Sequence, residues 1–175
     1  MAHKILTNTK NDCLEYLIDV LARKNNDNFR DFSTLKLVKL LFFVVGASCS
    51  EEDRGLTSIF DNFVAMPYGP VESDVYNSIQ ENQLKKYKIS SSGCILKNGS
   101  VKIKIGKDKQ TEIEEAVEKL LSKNQTIINY KPFDLVDISH KWSCWKVCYN
   151  VALTMNKHSM DIPTPLIQKS VKYYK

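Results

Sequence analysis

The chain has 175 residues with 25 basic and 20 acidic side chains, a net charge of +5, and 43% hydrophobic against 26% charged residues, the balance of a globular chain rather than a disordered one. Six glycines and five prolines exclude a collagen-like or linker-dominated architecture. The longest uncharged run, Leu40 to Ser50, is 11 residues, well short of the roughly 20 that a membrane span needs.

The first residues, MAHKILTNTKND, carry no apolar leader, so the cytoplasm is the expected location. Leu14, Leu17, Ile18 and Leu21 recur at helical spacing and predict an amphipathic helix over residues 11–24, ended by a loop at 25–28. A second helix should begin at Ser33, a good N-cap, with Phe32 and Leu37 placed to staple its entry. From Leu40 to Ala47 this helix is apolar on every side, so it must be buried on every side. Lys36 and Lys39 are expected to mark its end that still meets water. Residues 50–55 break the chain, and TSIFDNFVAM at 57–66 reads as extended. Pro67-Tyr68-Gly69-Pro70 is a rigid turn, with Pro70 placed in the first turn of a helix carrying Val71, Val75 and Ile79.

Residues 93–105 give the plainest β pattern. GCILK, an Asn98-Gly99 turn and SVKIKI predict a hairpin, with Val101, Ile103 and Ile105 on a buried face and Lys102 and Lys104 on a charged one. Thr111 and Glu114 make a capping box for a helix to about Leu121. Pro132 opens a short helix through His140, the stretch KWSCWKVCYN follows, and Thr164-Pro165 opens a last helix bearing Leu166, Ile167, Val171 and Tyr174. The expected fold is α+β and predominantly α-helical: one domain over residues 1–175, with helices around a buried central helix and a small antiparallel β-hairpin to the side.

Residues able to carry chemistry are sparse. Five scattered cysteines without a CxxC pair read as reduced, mostly buried thiols, which excludes structural zinc of the finger or ribbon type. His140, Cys144 and Cys148 recur every four residues, but on a helix the outer two stand about 12 Å apart, too far to share an ion. Cys144, His140 and Asp137 are the residue types of a nucleophile, its base and an orienting acid, yet no thiol-protease signature surrounds them. No glycine-rich phosphate loop is present. No catalytic residue, metal site or cofactor is expected, and the chain is read as a non-enzyme. Trp142, Trp145 and Tyr149 form a stripe at i, i+3, i+7 that reads first as core and second as a binding surface.

The charge is uneven. Residues 1–80 hold 8 basic and 11 acidic side chains, and residues 81–175 hold 17 and 9. Eight lysines and one acid lie between Lys85 and Lys109, which raises nucleic acid or an acidic protein as partners. All three arginines, however, fall in the acidic half, and arginine is the usual reader of guanine.

Three ordered segments carry a family resemblance: TLKLVKLLFFV at 34–44, FDNFVAMPYGPVESDVYNSI at 60–79 and DISHKWSCW at 137–145, closed by PTPLIQKSVKYY at 163–174. Together they resemble the SocA-like antitoxin, or Panacea, domain, related to phage-associated GepA-type proteins, over about residues 11–174. Lys39 to Phe43 match that family's central-helix motif, Tyr68 to Val71 its Y-G-P-V motif, and His140 with Trp145 its late histidine and tryptophan. The resemblance implies an antitoxin that neutralises a cognate toxin by direct protein–protein binding, with a protease-adaptor role in one member. The candidate partner-binding residues are therefore Tyr68, Gly69, Pro70, His140, Trp142 and Trp145, joined by Lys102 and Lys104 on the basic stretch. The alternative is a nucleic-acid-associated regulator of phage or mobile-element origin.

Overall fold

The computed structural model describes residues 2–99 and 101–175, the side chains of 2–8 excepted. The side chain of His3, and Ser100 at the start of the expected second strand, lie outside the described residues. The elements in chain order are α1 (Ala2–Lys24), α2 (Thr34–Ser48), a 3-10 turn (Gly55–Ser58), β1 (Phe63–Met66), β2 (Gly69–Glu72) and α3 (Ser73–Gln80). There follow β3 (Tyr87–Ser90), β4 (Gly93–Leu96), α4 (Lys107–Lys123), a second 3-10 turn (Ile127–Asn129), α5 (Pro132–Lys141), α6 (Ser143–Thr154), β5 (Met160–Ile162) and α7 (Thr164–Gln168). The fold is α+β and mainly helical.

The core is built on α2. Ser33 caps it, accepting from the Lys36 N–H, and Phe32 and Leu37 are both fully buried, as a hydrophobic staple requires. Every residue from Lys36 to Gly46 is buried, because α4, α5, β2 and the first 3-10 turn pack around this one helix. Each fully covered Leu, Val or Phe on it contributes about 1.5–3 kcal/mol. Phe42 meets the Trp142 ring edge-on at 4.6 Å, and Trp142 in turn meets Tyr174 at 5.4 Å. The Trp142 ring lies so close to Gly46 that a Cβ there would be driven into it.

α1 lies on α4 and α3, and two buried polar anchors fix it. The Glu15 carboxylate is wholly buried and accepts the backbone N–H groups of Lys85, Lys86 and Tyr87 at 3.1, 2.6 and 3.1 Å. Lys10 donates to Asp61, Glu72 and Asp74 at 2.9, 2.7 and 2.6 Å. The larger sheet has the order β2-β1-β5, all antiparallel, with Met66 opposite Gly69 and Phe63 opposite both Glu72 and Ile162.

Several expectations are corrected. The hairpin forms one step earlier than the Asn98-Gly99 signal predicts: Tyr87–Ser90 pairs with Gly93–Leu96 around a Ser91-Ser92 turn. Glu15 holds the backbone entering β3, and Tyr87 and Ile89 supply the buried face, so the tertiary partner outweighs the local turn preference. Val101 is left exposed, and Lys102 and Lys104 lie on an irregular segment before α4. Pro70 is a strand residue, and α3 starts at Ser73 with Glu72 as its cap, accepting from the Val75 N–H at 2.8 Å. α4 begins at Lys107, a turn ahead of Thr111, whose hydroxyl donates back to the Lys107 carbonyl at 3.2 Å. α7 takes its N-cap from Pro163 rather than Thr164.

Candidate functional site

The sharpest departure from expectation is Lys39. It is fully buried rather than solvated, and its Nζ donates to the Pro70 carbonyl at 2.7 Å. No carboxylate pairs with it among the described residues. Burial pushes its pKa from the ordinary 10.5 down to about 7, since the charged form has lost its water and gained only a carbonyl in return. Lys36, also buried, pairs with Asp31.

Gly69 closes on Lys39 from the hairpin. Its φ is +91°, and a Cβ there would stand 3.1 Å from Lys39 Nζ and overlap the Ser139 hydroxyl. Only glycine combines that conformation with that clearance. Ser139 is buried on α5 and donates to the Val136 carbonyl at 2.8 Å.

The other arm of the hairpin is held by α6. Trp145 Nε1 donates to the Met66 carbonyl at 2.9 Å. The His140 ring stacks on Trp145 with centroids 3.9 Å apart, and Trp145 stacks on Tyr149 at 5.0 Å. Burial first, and then the nearby Lys39 charge, pull the His140 pKa below its usual value against the opposing influence of Asp137 and the Pro67 backbone. The ring is therefore neutral at pH 7, and its buried Nε2 has no hydrogen-bond partner among the described residues.

Both arms of the β1–β2 hairpin are thus clamped by side-chain donors, each bond contributing about 0.5–1.5 kcal/mol. The clamp projects the turn outward. Tyr68 is 61% exposed and meets the 62% exposed Phe133 ring edge-on at 6.1 Å. Exposed aromatic rings on a rigid support are typical anchors of protein interfaces. Beside them runs a groove of about 900 Å³, walled by Leu35 and Val38 of α2, Val71 of β2, Ile79 of α3 and Ile89 of β3, with no charged side chain in its lining.

The candidate residues therefore separate. Tyr68 stands at the groove rim, and Gly69 and Pro70 are buried beneath it as its support. His140 and Trp145 are half-buried parts of the clamp. Trp142 is wholly buried with its Nε1 donating to the Tyr173 carbonyl at 2.6 Å, so it belongs to the core and not to a binding surface. Lys102 and Lys104 are exposed but line neither the groove nor a strand. Sequence reasoning missed Lys39, Ser139 and Phe133. The available signal was a lysine within a helix otherwise apolar on all sides.

Other clusters resolve into supports. α5 ends at Lys141 and α6 begins at Ser143, so His140, Cys144 and Cys148 do not share one helix. Cys144 is buried and its pKa is pushed up to about 11, chiefly by burial, which keeps it a thiol rather than a nucleophilic thiolate. Asp61, Glu72 and Asp74 cluster closely enough for a metal ion, but the Lys10 ammonium sits among them. Within the basic stretch, Lys85 and Lys86 pair with Asp12 and Asp19, and Lys97 donates to backbone carbonyls.

These features define a helical α+β domain whose distinctive segments converge to hold one turn beside an apolar groove. The chain belongs to the antitoxin SocA-like, Panacea domain family, whose model matches residues 37–146. The match takes in Lys39, the Tyr68 turn, His140 and Trp145. No curated protein and no solved structure matches the chain. Among the described residues, no helix is long and apolar enough to cross a membrane.

Proposed function

We propose that this protein is a cytoplasmic antitoxin that neutralises a cognate toxin by direct protein–protein binding at the Tyr68–Phe133 groove, acting by contact and not by catalysis. The observation that carries the reading is the clamped turn. Lys39, Gly69, Ser139, His140 and Trp145 are arranged to hold Tyr68 in water beside Phe133, and an exposed aromatic pair over an apolar groove suits a protein partner. Family membership supports an antitoxin role and a toxin as the partner. The neutral, buried state of Cys144 supports binding over thiol chemistry.

The test is co-expression with the product of the neighbouring open reading frame. Growth arrest by that product alone, relieved by this protein and restored by Tyr68→Ala with Phe133→Ala, is the expected result. A neighbour that is harmless alone, or relief that survives both substitutions, refutes the reading. Adaptor action is distinguished by toxin lifetime: delivery to a protease shortens it, whereas simple capture leaves it unchanged. A nucleic-acid regulator would instead bind its own promoter, with an affinity that falls steeply with salt.

A further inference from the structure

The groove is uncharged, but the recess beside it is not. A second hollow of about 470 Å³ is lined by Arg30, Lys88, Ser90, Ser92 and the first residues of β4. Ser90 lines both hollows, so they adjoin along the outer end of β3. Arg30 and Lys88 are exposed and form no ion pair among the described residues. Asp31, next to Arg30 in the chain, is committed to Lys36, and Asp19 to Lys86. Two adjoining hollows, the larger mostly apolar and the smaller cationic, together have a definite complement.

We infer that the groove takes a segment of the partner protein in which two or three aliphatic or aromatic residues are followed by acidic ones, the apolar side chains lying between Tyr68, Phe133 and Ile89 and the carboxylates meeting Arg30 and Lys88. This rests on the proposed protein-binding role and adds the chemistry of the segment recognised. Apolar anchors in a desolvated groove supply most of the affinity. The two cations set the direction of the segment and speed its capture, as charges at an interface rim do. Ser90 and Ser92, whose hydroxyls pair with each other at 2.9 Å, also line this end of the recess.

The test selects a random 12-residue phage-displayed peptide library on the intact protein and measures the enriched peptides by fluorescence anisotropy. The expected outcome is enrichment of peptides with an apolar cluster adjoining Asp or Glu. Their binding should fall at least tenfold in Arg30→Glu with Lys88→Glu, and the loss should shrink between 50 and 500 mM salt. Tyr68→Ala with Phe133→Ala should abolish binding at all salt concentrations. All four side chains are exposed, and unchanged circular dichroism and urea midpoints confirm folded variants. Failure to enrich any peptide, enrichment without acidic bias, or equal binding by the charge-reversed variant overturns the inference. So does displacement of the peptide by a 30-base-pair DNA duplex, or a concentration-dependent dimer dissolved by Tyr68→Asp, which would put nucleic acid or a second copy in the groove. The two readings fail separately: a charge-reversed variant that still relieves toxicity in full sinks this inference alone, whereas loss of relief by the wild-type protein sinks the antitoxin role.

Discussion

Replacing Lys39 with methionine should make the protein more stable and less able to bind its partner. Methionine keeps the length and most of the volume of the side chain and removes the charge. In the folded chain burial pushes the Lys39 pKa down to about 7, against the ordinary 10.5, and each pH unit between them corresponds to about 1.4 kcal/mol. Holding the charged form at pH 7 therefore costs roughly 4 kcal/mol. Against this, methionine leaves the Pro70 carbonyl without its donor, a loss of about 1–3 kcal/mol. The net expectation is stabilisation by about 1–3 kcal/mol at pH 7. Because the folded pKa lies below the unfolded one, the unfolded chain binds more protons between about pH 7 and 10.5, and Lys39 makes stability rise with pH across that window. The advantage of Lys39→Met should therefore shrink as pH rises, and vanish or reverse by about pH 9.5. Urea unfolding of both proteins at pH 6.5, 8 and 9.5 measures this, and the difference between them cancels the other titrating groups. A variant less stable than its parent by more than 1 kcal/mol at pH 6.5, with a gap independent of pH, would refute the reasoning. The lost clamp should also free the Tyr68 turn and weaken toxin neutralisation despite the added stability, the trade expected where a strained site serves function.

Gly69→Ala meets both a left-handed φ and the Ser139 hydroxyl, so a loss of at least about 2 kcal/mol is expected in urea; a change below 0.5 kcal/mol would show that the turn is not held as described. Glu15→Gln keeps one acceptor oxygen where the carboxylate serves three backbone N–H groups. It should cost about 2–3 kcal/mol and speed hydrogen exchange at Lys85, Lys86 and Tyr87, and unchanged exchange there would refute the anchoring role. The five cysteines are all buried, and burial raises the thiol pKa of each, Cys94 to about 12. A thiol reagent at pH 8 should label none rapidly in the native state and all five in denaturant. Rapid native labelling of Cys144 would reopen thiol chemistry at α6.

Much of this fold is legible in the sequence. Ser33, Phe32 and the apolar run after Leu40 specify α2 and its burial through local capping and periodicity, and Pro132 marks the start of α5 for the same kind of reason. The family motifs were also legible as segments, because residue order is a property of the chain. What the segments do to one another was not. The alternation at residues 101–105 has the right polarity for a strand, but strand pairing needs a partner, and the partner of Gly93–Leu96 is Tyr87–Ser90, fixed by a carboxylate more than seventy positions away on α1.

Lys39 shows the same division most clearly. Its position within an apolar helix is written in the sequence, yet a lysine at a helix turn reads as solvated, because charge ordinarily stays in water. Only the packing of α4, α5 and the β1–β2 hairpin around α2 encloses it and delivers the Pro70 carbonyl to its ammonium. The sequence by itself determined the buried central helix, the start of α5 and the family. The tertiary structure decided which charges are buried, which tryptophan is core and which ring faces water, since burial depends on elements distant in the chain meeting at one place.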